Sequence, residues 1–171
     1  MSESTKSVIA LAFKNVAKNK CIDKITVQDI TDECGINRQS FYYHFQDRND
    51  LLKWIFHAEV FIPVLEILSS NNIYETFLLM FENINKEFEF YYNAISIKCD
   101  NCFKIYLYSI LKNLVVTISE QKIDSVEVGF CASGLLGLIT LWLRKELTCS
   151  YQDLANQTTK IISKLITETS K

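Results

Sequence analysis

The sequence predicts an all-α protein: a small N-terminal head of three helices joined to a larger C-terminal helical bundle. Three observations predict it. Breakers are scarce, with four glycines and one proline in 171 residues, too few for the turns of a β-sandwich or barrel. Apolar residues recur at helical spacing from the first segment to the last. They make up 49% of the chain, inside the globular range and enough for a substantial core.

The elements follow in order. A first helix is predicted from Ser4 to Lys18, with Val8, Ile9, Ala12, Phe13, Val16 and Ala17 on one face. Cys21–Ile25 reads as a loop that tucks Ile22 and Ile25 under the helices. Thr26-Val27-Gln28-Asp29 has the form of a capping box, in which the Thr26 hydroxyl takes the Asp29 amide and the Asp29 carboxylate reaches back. A second helix follows and Gly35 ends it. Asn37 can cap a third helix, Arg38–Phe45. Asp47 caps a fourth from Arg48 through Leu65, with Pro63 kinking or stopping it. Beyond residue 70 the pattern gives long helices over Ile73–Ile97, Cys102–Ser119, Val126–Leu147 and Tyr151–Thr167. The predicted boundary divides residues 1–46, the head, from residues 47–171, the body.

Charge limits what the head can be. Residues 1–50 carry seven Lys/Arg and seven Asp/Glu, and the whole chain has a net charge of −2. A general nucleic-acid coat is excluded, so any contact with a polyanion comes from a few placed residues. Six cysteines in this length are too sparse for a disulfide scaffold. The N-terminal segment lacks the pattern of a signal peptide, which predicts a cytoplasmic chain with reduced thiols. Val128–Leu143 is free of charge but short of the roughly 20 residues a spanning helix needs, and reads as a buried helix with no membrane partner.

The informative segment is Thr26–Leu52. Two short helices meet at the tight turn Cys34-Gly35-Ile36-Asn37, the spacing of a helix-turn-helix. On a wheel of the third helix, Phe41 and Phe45 face the core with Ile36. Gln39 and Tyr43 point the other way, with Ser40 near them, Arg38 and Tyr42 on one flank and His44 on the other. That exposed side can donate to and accept from base edges and phosphates. Two adjacent exposed tyrosines on so short a helix are unusual for a merely solvated face.

Gly35 to Leu51 resembles the signature of the TetR family: a glycine, a hydrophobe, a small or polar residue, an apolar-Tyr pair, a His-Phe pair, then a basic residue before an acidic-Leu pair. The resemblance spans Lys6 to Leu52. The run Phe41–Phe45, with Leu51–Phe56 and the later Gly134–Ile139 followed by Leu141-Trp142-Leu143, is similar to a narrower branch, the regulators like the dihydroxyacetone kinase operon activator. The family resemblance implies that Arg38, Gln39 and Tyr43 enter the major groove of double-stranded DNA. It implies that Ser40, Tyr42 and Arg48 hold phosphates, that Thr26 and Gln28 touch the flanking backbone, and that Asn37 and His44 lie in the same interface. It further implies a homodimer on a near-palindromic operator, the last two helices pairing with their copies. Repression is the default sign. Activation or co-regulation through a protein partner is the alternative, because some regulators of the branch work so. A small-molecule effector would have to bind the two head spacings with different affinity. No cofactor is expected and no effector is named.

Other chemistries find little support. No nucleophile elbow, zincin helix or paired-carboxylate constellation is present. Gly129 and Gly134 lack the Lys-Ser/Thr of a phosphate loop and lie in a helical pattern. Cys99-Asp-Asn-Cys102 has metal or redox spacing, but no second pair exists and only two histidines are available, so the pair reads as two thiols at a helix junction. An enzyme, or a helical interaction module that no longer binds DNA, is the reading left if the Arg38–Arg48 set fails.

Overall fold

The computed structural model describes residues 2–68, 72–96, 102–120 and 122–169. Among them every regular element is a helix. Helix α1 (Ser2–Ala17) leads through a 3₁₀ turn (Ile22–Lys24) to α2 (Val27–Cys34) and α3 (Arg38–His44). Helix α4 (Arg48–Phe56), a π-helical turn (His57–Phe61) and α5 (Ile62–Leu68) run on without a break. The rest is α6 (Ile73–Lys86), α7 (Phe88–Ile95), α8 (Cys102–Ile118), α9 (Ser125–Leu143) and α10 (Tyr151–Thr169). Cys99 and the side chain of Cys102 lie outside the described residues.

Local signals set the head. Thr26 and Asp29 form the complete capping box, and Gly35 ends α2 at φ 68°, the left-handed region that glycine enters without a Cβ penalty. Asn37 Oδ1 accepts from the Ser40 amide at 2.7 Å, and Asp47 Oδ1 accepts from Asn49 and Asp50. Ile22 and Ile25 are buried beneath the helices. The buried stripe of α1 differs from the predicted one. Val8 is exposed with Leu11, while Ala10 is buried beside Ile9, Ala12 and Phe13. Helix α1 packs against α2, α4 and α7, so its buried stripe is set by all three neighbours.

Pro63 does not stop the fourth helix. A prolyl nitrogen has no hydrogen to donate, and its ring clashes with the carbonyl four residues back. The chain absorbs this by widening the turn just upstream: the Ile62 amide reaches His57, five residues back, and the helix resumes through Leu68. The predicted long helix Ile73–Ile97 is two helices. Glu87, at φ −123° and ψ 41°, breaks it. Helix α6 packs on α10 whereas α7 packs on α9, and one straight rod could not serve both.

The core is aromatic where the helices cross. Phe56 meets Tyr91 and Phe103 edge to face at 5.8 and 5.7 Å. The Trp142 ring meets Phe81 at 5.9 Å and Phe88 at 5.4 Å. Helix α9 starts on a second capping box, Asp124 with Glu127, and ends at Leu143 rather than Leu147. The backbone stops it there: Lys145 enters the left-handed region at φ 59°, and the amides of Lys145 and Glu146 close back on the carbonyls of Trp142 and Leu141, each at 2.9 Å. The Trp142 ring is held in the core, and its Nε1 donates to the Cys149 carbonyl at 3.1 Å, tying the α9–α10 connection to α9.

Helix α9 is, by length and composition alone, long and apolar enough to cross a membrane, and it is the one such helix among the described residues. Its buried-helix reading holds for one face only. Cys131, Ala132, Leu135 and Ile139 are buried, whereas Val126, Phe130 and Leu141 are exposed.

Trp142→Phe keeps the ring packing and removes the donor to Cys149. Urea unfolding should show a loss of about 1 kcal/mol, and Trp142→Ala a loss of about 3–5 kcal/mol.

Candidate nucleic-acid interface

A seven-residue helix presents the site. Phe41 is fully buried and Phe45 nearly so, their rings 5.9 Å apart. Phe45 continues to Trp54 of α4 at 5.8 Å, and the Lys6 ammonium lies over both rings. These anchors turn Arg38, Gln39, Tyr42 and Tyr43 outward, and Tyr43 is 83% exposed. Arg38 Nη2 donates to the Tyr42 hydroxyl at 3.3 Å, one turn on. The His44 ring is half-buried and meets Tyr43 edge to face at 5.0 Å. Arg38, Gln39, Ser40, Tyr42, Tyr43 and His44 thus share one short helix, and Asn37 stands at its start as the cap.

Helix α2 contributes its N-terminus. Thr26 and Gln28 are both exposed. Their side chains are already engaged, Thr26 with Asp29 and Gln28 Nε2 with Asp32 at 2.6 Å. Lys20, absent from the sequence-based set, pairs with Asp29 at 2.6 Å. Lys20 and the Thr26 donors together hold the Asp29 carboxyl down to about 2.

Arg48 departs from the expectation. Its Nη1 donates to the carbonyls of Ile22 and Ile25, each at 2.9 Å, and to that of Asp23. The guanidinium closes the C-terminal end of the 3₁₀ turn, where carbonyls converge and a cation is favoured. Arg48 therefore fixes the α1–α2 connection from α4. Sequence reasoning missed this because the three carbonyls belong to the backbone and carry no residue signature.

No group of three or more potential metal ligands occurs among the described residues.

A short helix capped by Asn37 and pinned by two buried rings in a three-helix head, on a body of long helices, defines the helix-turn-helix class of transcription regulators. Residues 14–55 match the family model described as bacterial regulatory proteins, tetR family, and residues 71–164 match that of a transcriptional regulator C-terminal region. The chain belongs to the TetR family of transcriptional regulators. It is 30% identical over 125 residues to the HTH-type dhaKLM operon transcriptional activator DhaS of Lactococcus lactis subsp. lactis (strain IL1403), an alignment covering 70% of this chain and 65% of that protein. The solved dihydroxyacetone kinase operon activator DhaS shares the fold, with a TM-score of 0.69 and 24% identity over 95% of this chain and 96% of that one. A TetR-family regulator from Syntrophomonas wolfei str. Goettingen aligns at a TM-score of 0.68 and 17% identity, over 98% of this chain and 97% of that one.

Two outcomes follow from the geometry. Arg48→Ala should cost on the order of 1–2 kcal/mol and speed amide exchange in residues 22–26, whereas phosphate binding alone would leave the free protein unchanged. The Asp29 carboxyl is lowered from 3.8 to about 2, so its stabilisation is complete above 3.8 and is lost as pH falls through 2. An Asp29→Asn variant should lack that part of the acid limb in denaturation curves.

Proposed function

We propose that this chain is a sequence-specific DNA-binding regulator that acts as a homodimer through α3. The observation that carries the reading is the division of α3 into two buried rings and an exposed face of Arg38, Gln39, Tyr42 and Tyr43. A helix so anchored can enter a major groove without moving its own core. Residues 1–46 form the DNA-binding unit in this reading, and residues 47–171 the dimerising and effector-responsive unit. Arg38, Gln39 and Tyr43 read base edges. Ser40, Tyr42 and His44 lie against phosphates, with Thr26, Gln28 and the α3 cap Asn37 beside the flanking backbone. Arg48 reaches a phosphate only with the donors its carbonyl partners leave free.

The dimer reading rests on α9 and α10. Between them runs an open apolar groove of about 600 Å³, lined by Phe130, Gly134, Leu138, Leu141, Ile161 and Leu165 among others. Phe130 is 75% exposed, a large ring left in water. A Cβ built on Gly134 or Gly137 would meet nothing within 4 Å. The fold of one chain therefore does not require those glycines, whereas a helix from a second copy could use the close approach they permit. Ala132, on the same helix, is buried in its own chain. Two such chains would pair these helices as a four-helix interface.

The name of the Lactococcus relative favours activation over the default of repression, and activation is the sign we propose.

Selection from a random duplex library should recover a near-palindrome with half-sites roughly one helical turn, 34–36 Å, apart. Enrichment of no sequence by folded protein would defeat the reading. Arg38→Ala and Gln39→Ala should each cost about 1–3 kcal/mol in binding and relax base preference. Phe130→Glu should turn a sedimenting dimer into a monomer; a stable wild-type monomer at micromolar concentration would rule out the interface.

A further inference from the structure

Lys14, on the helix that packs against α2, points away from the head into the body. Its side chain is 14% exposed, and its ammonium meets Glu59 at 2.8 Å and Glu87 at 2.9 Å. Glu59 lies in the π-helical turn that Pro63 imposes, and Glu87 is the residue at which α6 breaks from α7. One cation thus ties the head to the two irregular points of the body. The adjacent residue, Phe13, meets Phe90 of α7 edge to face at 5.7 Å, so a single turn of α1 carries both contacts.

A half-buried cation with one partner removed is costly, which makes the arrangement specific. Beside it lies an unpartnered group. The Tyr91 hydroxyl, on α7, is buried and has no hydrogen-bond partner among the described residues. Burial, with the Glu59 and Glu87 carboxylates adding to it, pushes its pKa well up, so the hydroxyl keeps its proton.

We infer that Lys14, Glu59 and Glu87 are positioning residues: they form a latch that fixes the three-helix head against the body and transmits changes at the π turn or the α6–α7 corner to α3. The latch rests on the proposed DNA reading only for its effect on operator choice.

The test is nitrogen-15 relaxation on the full chain, comparing amides of α2 and α3 with those of α8–α10. In the wild type the two sets should report one tumbling time. In Lys14→Met, and in a Glu59→Gln, Glu87→Gln double variant, the head amides should report a shorter time, and Lys14→Arg should restore the wild-type value. Equal tumbling of head and body in both variants overturns the latch, as does independent head motion in the wild type. Should Lys14→Met fail to fold, the double variant decides alone. On duplexes carrying the selected half-sites at altered spacing, the variants should lose spacing preference by about 5-fold or more while binding an isolated half-site as the wild type does. Unchanged spacing preference also overturns the latch. A wild type that binds no duplex removes the DNA reading, and the relaxation arm still decides the latch.

Discussion

A helix of seven residues cannot hold itself together in water, because nucleation costs more than so few hydrogen bonds return. Helix α3 therefore exists only as far as its surroundings fix it. Gly35 turns the chain into it, Asn37 closes its first turn, and Phe41 and Phe45 pin one side in the core. Phe45 then passes the constraint to Trp54 and so to α4. The exposed face of α3 has a defined direction because its opposite face has none to spare. The direction of that face depends on those two rings.

The same logic explains why the body is built from interrupted helices. Pro63 removes a donor, and the widened turn from His57 to Phe61 restores the bonding one residue further on. Glu87 ends α6 so that α7 can lie on a different neighbour. Each interruption costs local regularity, and each leaves a carboxylate, Glu59 or Glu87, facing α1. The irregularities fall where the head meets the body.

Helix α9 shows how composition misleads when it is averaged. Its residues are apolar nearly all round, which suggests complete burial. In the fold, Cys131, Leu135 and Ile139 are buried within one chain, while Phe130 is largely exposed and Gly134 and Gly137 leave open space where a side chain would stand. A single folded chain gives no account of that second face. The dimer proposed above would cover it.

The sequence alone determined the features whose physics is local or periodic. The helix-turn-helix, the caps at Thr26, Asn37 and Asp47, the glycine at the end of α2 and the two phenylalanine anchors could all be read from neighbours within a few residues. The TetR signature was legible for the same reason, since it is a record of those local requirements. Tertiary structure decided what depends on residues far apart. Lys14 is 45 and 73 positions from its two carboxylates. Arg48 spends its guanidinium on carbonyls 23 to 26 residues away, and a carbonyl looks alike in every residue. The exposed edge at Val8, the break at Glu87 and the uncovered side of α9 likewise depend on which helix packs on which. Such pairings are set by burial across the whole core, and no window of sequence contains them.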